Sequence, residues 1–213
     1  MISAPERSAE RDGAIDAILV HVPFDGWTSR ALLLALAETG LHQDDAALLF
    51  PGGAGDLVEA FCDLADRRMV AEAAALDPAP ARLPDRVRLI IALRLSRHRP
   101  HKEAVRRAVS VLALPQNARI AAVCGARTIE AIWQAAGDKS ADFSWYTKRA
   151  SLAAIYGATL LFWLRDAGPD DGATLAFLDR RLADLGRIGG LRRRAAAVLA
   201  RFTPPALRPA PPA

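Results

Sequence analysis

The chain has 213 residues, 52% of them apolar, with 28 bases and 24 acids for a net charge of +4. That length holds one larger domain, or one domain with a small appendage, around a substantial core. Two cysteines, Cys62 and Cys124, without a CxxC pair exclude a disulfide framework and suit a reducing compartment, the cytosol by expectation. The opening stretch MISAPERSAERDG carries Glu6, Glu10 and Asp12 and no apolar core, which argues against a secretory signal or an acid-poor transit peptide, so the mature chain is expected to start near Met1. The longest uncharged run, 150–164, falls short of the ~18 apolar residues of a membrane span.

Alanine, leucine and arginine recur at helical spacing and strand alternation never persists, so an all-α fold is expected. The pattern predicts helices over 12–22, 28–38, 44–50, 54–75, 84–97, 102–113, 118–136, 144–166, 171–186 and 187–202, separated by proline and glycine breakers. Five regions are expected: a disordered 1–12, a helix-turn-helix-like subdomain over 13–76, a helical bundle over 77–186, an amphipathic helix over 187–203 and a disordered proline-rich tail over 204–213. Charge is distributed unevenly along them. Residues 1–77 carry a net −9, 82–127 a net +9 and 187–213 a net +6.

Within the first region, LLLALAETGLHQDDAALLF holds a helix, a glycine turn and a second short helix. The rhythm resembles the N-terminal domain of TetR-type regulators, in which a larger helical bundle follows and binds a small apolar ligand. A DNA reader neutralises phosphates, and the charges here are wrong for it. Between Ala14 and Asp66 the only base is Arg30, against nine acids, and the helix in the recognition position begins with Asp44 and Asp45 and holds no Arg, Lys, Asn or Gln to read a base edge. No nucleic-acid partner is expected.

Catalytic and metal-binding patterns are absent. His98 and His101 in HRPH are interrupted by Pro100 and lack accompanying ligands, so they read as a solvated basic connector. PGGAGD fits neither phosphate-loop pattern, and Cys124 in IAAVCGA reads as a buried, inert thiol. The expectation is a protein that is not an enzyme and uses no cofactor or metal.

The run 150–164 is apolar or small on every side, the composition of a helix surrounded by others at the centre of a bundle. Its small residues Ala153, Ala154, Gly157 and Ala158 admit two readings: close helix approach in a packed core, or space for a ligand. The second predicts an elongated cavity bordered by Leu112, Leu114, Trp133, Leu152, Ile155, Tyr156, Leu160 and Phe177. Before this run, GDKSADFSWYTKR places Trp145 and Tyr146 among charges. Lys148 and Arg149 sit in the first helical turn, where the macrodipole disfavours cations, so stability alone does not account for them. An exposed Trp/Tyr/Arg cluster has the composition of a docking surface, and a staple folded back on the bundle is the alternative.

From Arg187 onward, Ile188, Leu191, Ala195, Val198, Leu199 and Phe202 form one stripe, flanked by Arg187, Arg192 and Arg194, with Arg193 and Arg201 behind it. Two readings hold: a helix lying in an anionic membrane interface, or a final helix packed on the bundle.

The string AGDKSADFSWYTKRASLAAIY, with FDGWTSRAL, LALPQNA and FLDRRLAD in order over 22–184, resembles the ubiquinone-biosynthesis accessory protein family, the ninth of the coenzyme Q series. The resemblance implies a TetR-like all-α homodimer that does no chemistry. It would hold an isoprenoid or phospholipid in its bundle and present it to the di-iron hydroxylase acting on demethoxyubiquinone. It implies a partner-binding patch at Asp142, Trp145, Tyr146 and Arg149, and a membrane-binding last helix in which Ile188, Leu191, Arg192, Arg193, Arg194, Val198, Leu199 and Phe202 meet an anionic surface. The expected location is then cytoplasmic and peripheral to the cytoplasmic membrane. The alternative function is a TetR-type transcriptional regulator with an apolar effector.

Overall fold

The structure, a computed structural model, describes residues 5–76, 82–138 and 144–184, with Ser144 and Trp145 by their backbone alone. Asp142, the Trp145 side chain and the whole predicted 187–203 helix with its tail lie outside the described residues. Among those described there are ten α-helices and no strand, an all-α fold.

Chain entry departs from expectation. Helix α1 (Ala9–Ile18) starts three residues early and within the segment expected to be disordered, because extended Ser8 caps it, its Oγ accepting from the Arg11 N–H at 3.1 Å. Glu10 and Asp12 then sit in the first turn, where the helix dipole favours acids. The Arg11 side chain is buried, stacked 4.4 Å over the Phe50 ring and paired with Asp56 at 2.7 Å. Pro23 opens a separate short helix, α2 (Val22–Asp25), so the expected single helix over 12–22 is two. Thr28 caps α3 (Ser29–Thr39), and Gly40 ends it at φ 74, a left-handed conformation that favours glycine and lets the Leu41 N–H reach back to the Leu36 carbonyl at 3.2 Å. A 3₁₀ turn at Gln43–Asp45 leads into α4 (Ala46–Leu49).

Helix α5 (Gly53–Ala74) is the spine of the molecule. Its first half, through Leu57, Val58, Phe61 and Leu64, packs into a core with α1, α3 and part of α7 (Lys102–Leu112). Farther along, Met69 enters a second core with α6 (Leu83–Arg97), α8 (Ala118–Ala135), α9 (Ser144–Arg165) and α10 (172–184). Within the first core Trp27 donates from Nε1 to the Ala104 carbonyl of α7 at 3.0 Å.

The helix expected at the centre of the bundle, α9, is not surrounded by the described residues. Leu152, Ile155, Thr159, Trp163 and Leu164 are buried, while Ala153, Ala154 and Ala158 are exposed and Leu161 is 53% exposed. Alanine has too little apolar area to force burial, so a uniformly apolar sequence can leave one face open. No single described helix is long and apolar enough to cross a membrane.

Candidate ligand cavity

On α6, Val87, Ile91, Arg94 and, at the helix end, His98 follow at steps of three and four residues, one side of the helix. Val87 and Ile91 join the second core; Arg94 and His98 border a cavity of about 150 Å³ where α5, α7, α8 and α9 also meet. Its wall is mostly apolar, with Phe61 and Ala65 from α5, Leu112 from α7, and Leu160 and Trp163 from α9.

One side of the wall is polar and ordered. Arg94 donates from Nε to the Tyr156 hydroxyl at 2.8 Å and from Nη1 to Asp66, and the Thr128 hydroxyl donates to Asp66 at 3.0 Å. Burial pushes the Asp66 carboxyl up from its ordinary value, while Arg94, whose charge burial opposes, is held protonated by Asp66. His98 packs edge-on to the Phe61 ring at 5.3 Å, its Nδ1 lying 2.8 Å from the Arg94 carbonyl. Burial lowers it to about 4, so near pH 7 it is neutral and Nδ1–H donates to that carbonyl. The reading of His98 as a solvated connector is thereby corrected: its ring sits on the cavity wall.

Cys62 and Cys124 also border the cavity. The neighbouring Cys124 thiol, with burial, pushes the Cys62 thiol up, while Cys62 and Arg127, whose Nη2 lies 3.8 Å from Sγ, bring Cys124 down. Cys124 is buried as expected, but beside a second thiol.

Outside the cavity, a groove of about 1010 Å³ runs between α8 and α9, lined by Ala122, Ala126, Ala150 and Ala153 and edged by Arg127, Glu130 and Arg149. Ala121 and Gly125 border both spaces. A Cβ added at Gly125 or Gly157 would meet nothing within 4 Å, so these glycines stand beside open space and do not serve close helix contact.

Of the residues expected to border a cavity, Leu112, Tyr156 and Leu160 do. Trp133, Leu152 and Ile155 do not: they are packed into the second core. Leu114 is exposed at the end of α7, and Phe177 stacks on Phe162 with centroids 4.6 Å apart, away from the cavity. Trp133 and Leu152 are large residues that helix contacts fill around, whereas the void lies one helix face away, toward Arg94. Sequence reasoning missed Asp66, Arg94, His98, Cys62 and Thr128. A charge on the apolar side of LIIALRL was the available signal for Arg94.

At the start of α9, Tyr146 is 71% exposed. Arg149 bonds bidentately to Glu130 of α8 at 2.7 and 3.0 Å, and Lys148 lies 3.4 Å from Asp138. Local stability does therefore account for these cations, since the partner carboxylates offset the unfavourable dipole, and Arg149 is largely covered. In the helix-turn-helix region many acids are likewise paired: Asp63 with Arg7 and Arg67, Asp12 with Arg67, and Asp16 with Arg68. Asp44, at the entry to α4, is 92% exposed at its side chain.

Residues 118–189 match the COQ9 family. Over 182 residues the chain is 34% identical to ubiquinone biosynthesis protein COQ9, mitochondrial, of Rattus norvegicus, covering 82% of this chain and 58% of that one. It is equally identical, over the same length, to the Homo sapiens protein of that name, covering 57% of it. The Schizosaccharomyces pombe protein is 32% identical over 181 residues, covering 84% of this chain and 70% of that one. The chain thus spans somewhat over half the length of the rat and human relatives. None of these names states an enzymatic activity, and each places its protein in the mitochondrion. In fold, the chain matches the crystal structure of a TetR transcriptional regulator from Nitrosomonas europaea ATCC 19718 with a TM-score of 0.66 at 22% identity, covering 83% of this chain and 97% of that one. At that identity the likeness is one of fold. The chain belongs to the COQ9 family and carries it on a TetR-like, all-α architecture.

Proposed function

We propose that this protein is a non-enzymatic accessory factor of ubiquinone biosynthesis that holds an isoprenoid or other lipid and presents it to a di-iron demethoxyubiquinone hydroxylase. The names of its relatives support the pathway. The lipid-holding role rests on one observation: an apolar cavity and a larger small-residue groove share Ala121 and Gly125 as wall residues, so a seat for a chain-like ligand lies next to an open groove. Tyr146, exposed beside that groove's end of α9, supplies the kind of aromatic anchor a partner would bury. The protein acts as a homodimer, peripheral to a membrane that it meets through the arginine-rich 187–203 segment.

Mass spectrometry of lipids that co-purify with the protein tests this reading. An isoprenoid or phospholipid at near-stoichiometric amounts, lost when the cavity is blocked, is the expected result. Protein that stays lipid-free and takes up no added isoprenoid would overturn it.

A further inference from the structure

Helices α5 and α8 pack side by side, and their contacts fix a parallel register. Near the start, Gly55 lies against α8: a Cβ added there would stand 2.8 Å from Ile120 Cδ1, inside contact distance. Farther along, Arg127 pairs with Glu59, and the Thr128 hydroxyl donates to Asp66 Oδ1 at 3.0 Å. Cys62 falls seven residues after Gly55 and four before Asp66, and Cys124 falls four after Ile120 and four before Thr128. Each thiol therefore lies on the face that its helix turns to the other, and the register sets the two opposite one another. A disulfide needs facing Cβ atoms roughly 4 Å apart, and the missing side chain at Gly55 lets the helices close toward that spacing.

The two thiols are not equivalent. Arg127 Nη2 lies 3.8 Å from Cys124 Sγ, where its positive charge favours a thiolate. Cys62 and Arg127 bring the Cys124 thiol down against burial and the nearby Glu59, whereas Cys124 and burial push the Cys62 thiol up. Cys124 is thus the better nucleophile and Cys62 the better partner to resolve its oxidised form. Burial does not close them off, because both border a cavity of about 150 Å³, room enough for a molecule little larger than water.

We propose that Cys62 and Cys124 form an oxidisable dithiol that reacts with hydrogen peroxide and closes to a disulfide between α5 and α8. The Cys124 thiolate attacks one peroxide oxygen: an S–O bond forms, the O–O bond breaks, and the departing hydroxide leaves as water with the proton that the thiol gave up. The Cys62 sulfur then attacks the sulfenic sulfur, forming the S–S bond and breaking the S–O bond, and the hydroxyl leaves with the Cys62 proton as a second water. Two thiols and one peroxide give one disulfide and two waters, with sulfur oxidised and peroxide oxygen reduced. The bridge would lock the α5–α8 wall of the cavity, and its formation does not depend on the cavity holding a lipid.

Titration of the reduced full chain with hydrogen peroxide, followed by intact-mass and peptide mass spectrometry, tests it. Peroxide should consume both thiols together, lower the mass by about 2 Da and yield a proteolytic fragment joining Cys62 to Cys124, and dithiothreitol should restore both thiols. Cys62→Ser lacks the resolving thiol, so its Cys124 sulfenic acid should persist and be trapped by dimedone. Cys124→Ser should consume peroxide about tenfold more slowly than the unaltered chain. Trapping of a Cys62 sulfenic acid in Cys124→Ser at the unaltered rate would overturn the assignment of the attacking thiol. Both thiols surviving excess peroxide in the folded protein, or bridges forming only between copies, would overturn the proposal outright. The linked fragment is read in the unaltered protein, so the result stands whether or not either variant folds.

Discussion

Arg94 of α6 donates from Nε to the hydroxyl of Tyr156 on α9 at 2.8 Å, joining two helices 62 residues apart in sequence across the wall of the cavity. The same guanidinium reaches Asp66 of α5, so three helices are tied through one side chain. Such a knot matters most when half of it is removed. Arg94→Ala should destabilise the protein by about 3–5 kcal/mol, since it leaves the Asp66 carboxylate buried without its cation, whereas Tyr156→Phe should cost only about 1 kcal/mol. Urea unfolding of the two variants distinguishes them, and equal losses would show that Asp66 does not depend on Arg94.

Acid should weaken the fold partly through His98. Burial lowers it from 6.5 to about 4, so between those values the unfolded chain takes up a proton that the folded chain refuses. The stability this site contributes is full above pH 6.5 and is lost as pH falls through about 4, up to about 3 kcal/mol in all. Asp63 and Glu130, lowered despite burial by their arginine partners, pull in the same direction. The comparison is therefore against His98→Gln: its stability should drop less between pH 7 and 4.5 than that of the unaltered chain. Parallel curves would show that the His98 ring protonates freely in the fold.

Gly125 offers a test of the opening. With nothing within 4 Å of an added Cβ, Gly125→Ala should stabilise α8 by roughly 0.5–1 kcal/mol through helix propensity. Gly125→Phe, placed where groove and cavity meet, should fold and yet lose most of its co-purifying lipid. If lipid content is unchanged, the ligand enters elsewhere.

The exposed Tyr146 should matter to association and not to folding. Its replacement by Ala is expected to weaken hydroxylase binding by about 1–2 kcal/mol with the melting temperature unchanged. A lowered melting temperature would instead place it in the fold.

Binding to duplex DNA is not expected, despite the fold. The α4 segment is four residues long, its approach is marked by exposed Asp44, and Leu48 points 79% of its surface to solvent where a reader needs a donor. Gel shifts at physiological salt should show no sequence-specific complex. Sedimentation with anionic but not neutral vesicles should depend on residues 187–213, and a chain ending at 186 that still sediments would move the membrane contact to the bundle.

The sequence by itself determined the helices, because their limits are local: Thr28 and Gly40 around α3, Pro84 at the start of α6, and the Pro115 turn before α8 each act within a few residues. It also carried the family, whose distinctive string is contiguous. It did not determine which helix lies at the centre. The apolar run of α9 has no polar face to orient it, and only the tertiary packing shows that Leu152, Ile155 and Trp163 enter the core while Ala153 and Ala158 stay exposed. Nor could it tell Tyr156 and Leu160, on the cavity wall, from Leu152 and Ile155 in solid core, since all four are apolar positions on one helix. Whether a side chain meets a neighbour or a void depends on helix spacing set by the whole core. The grouping of Asp66, Arg94, Thr128 and Tyr156 was decided by tertiary structure alone: four helices supply one residue each, and no spacing along the chain records that they meet.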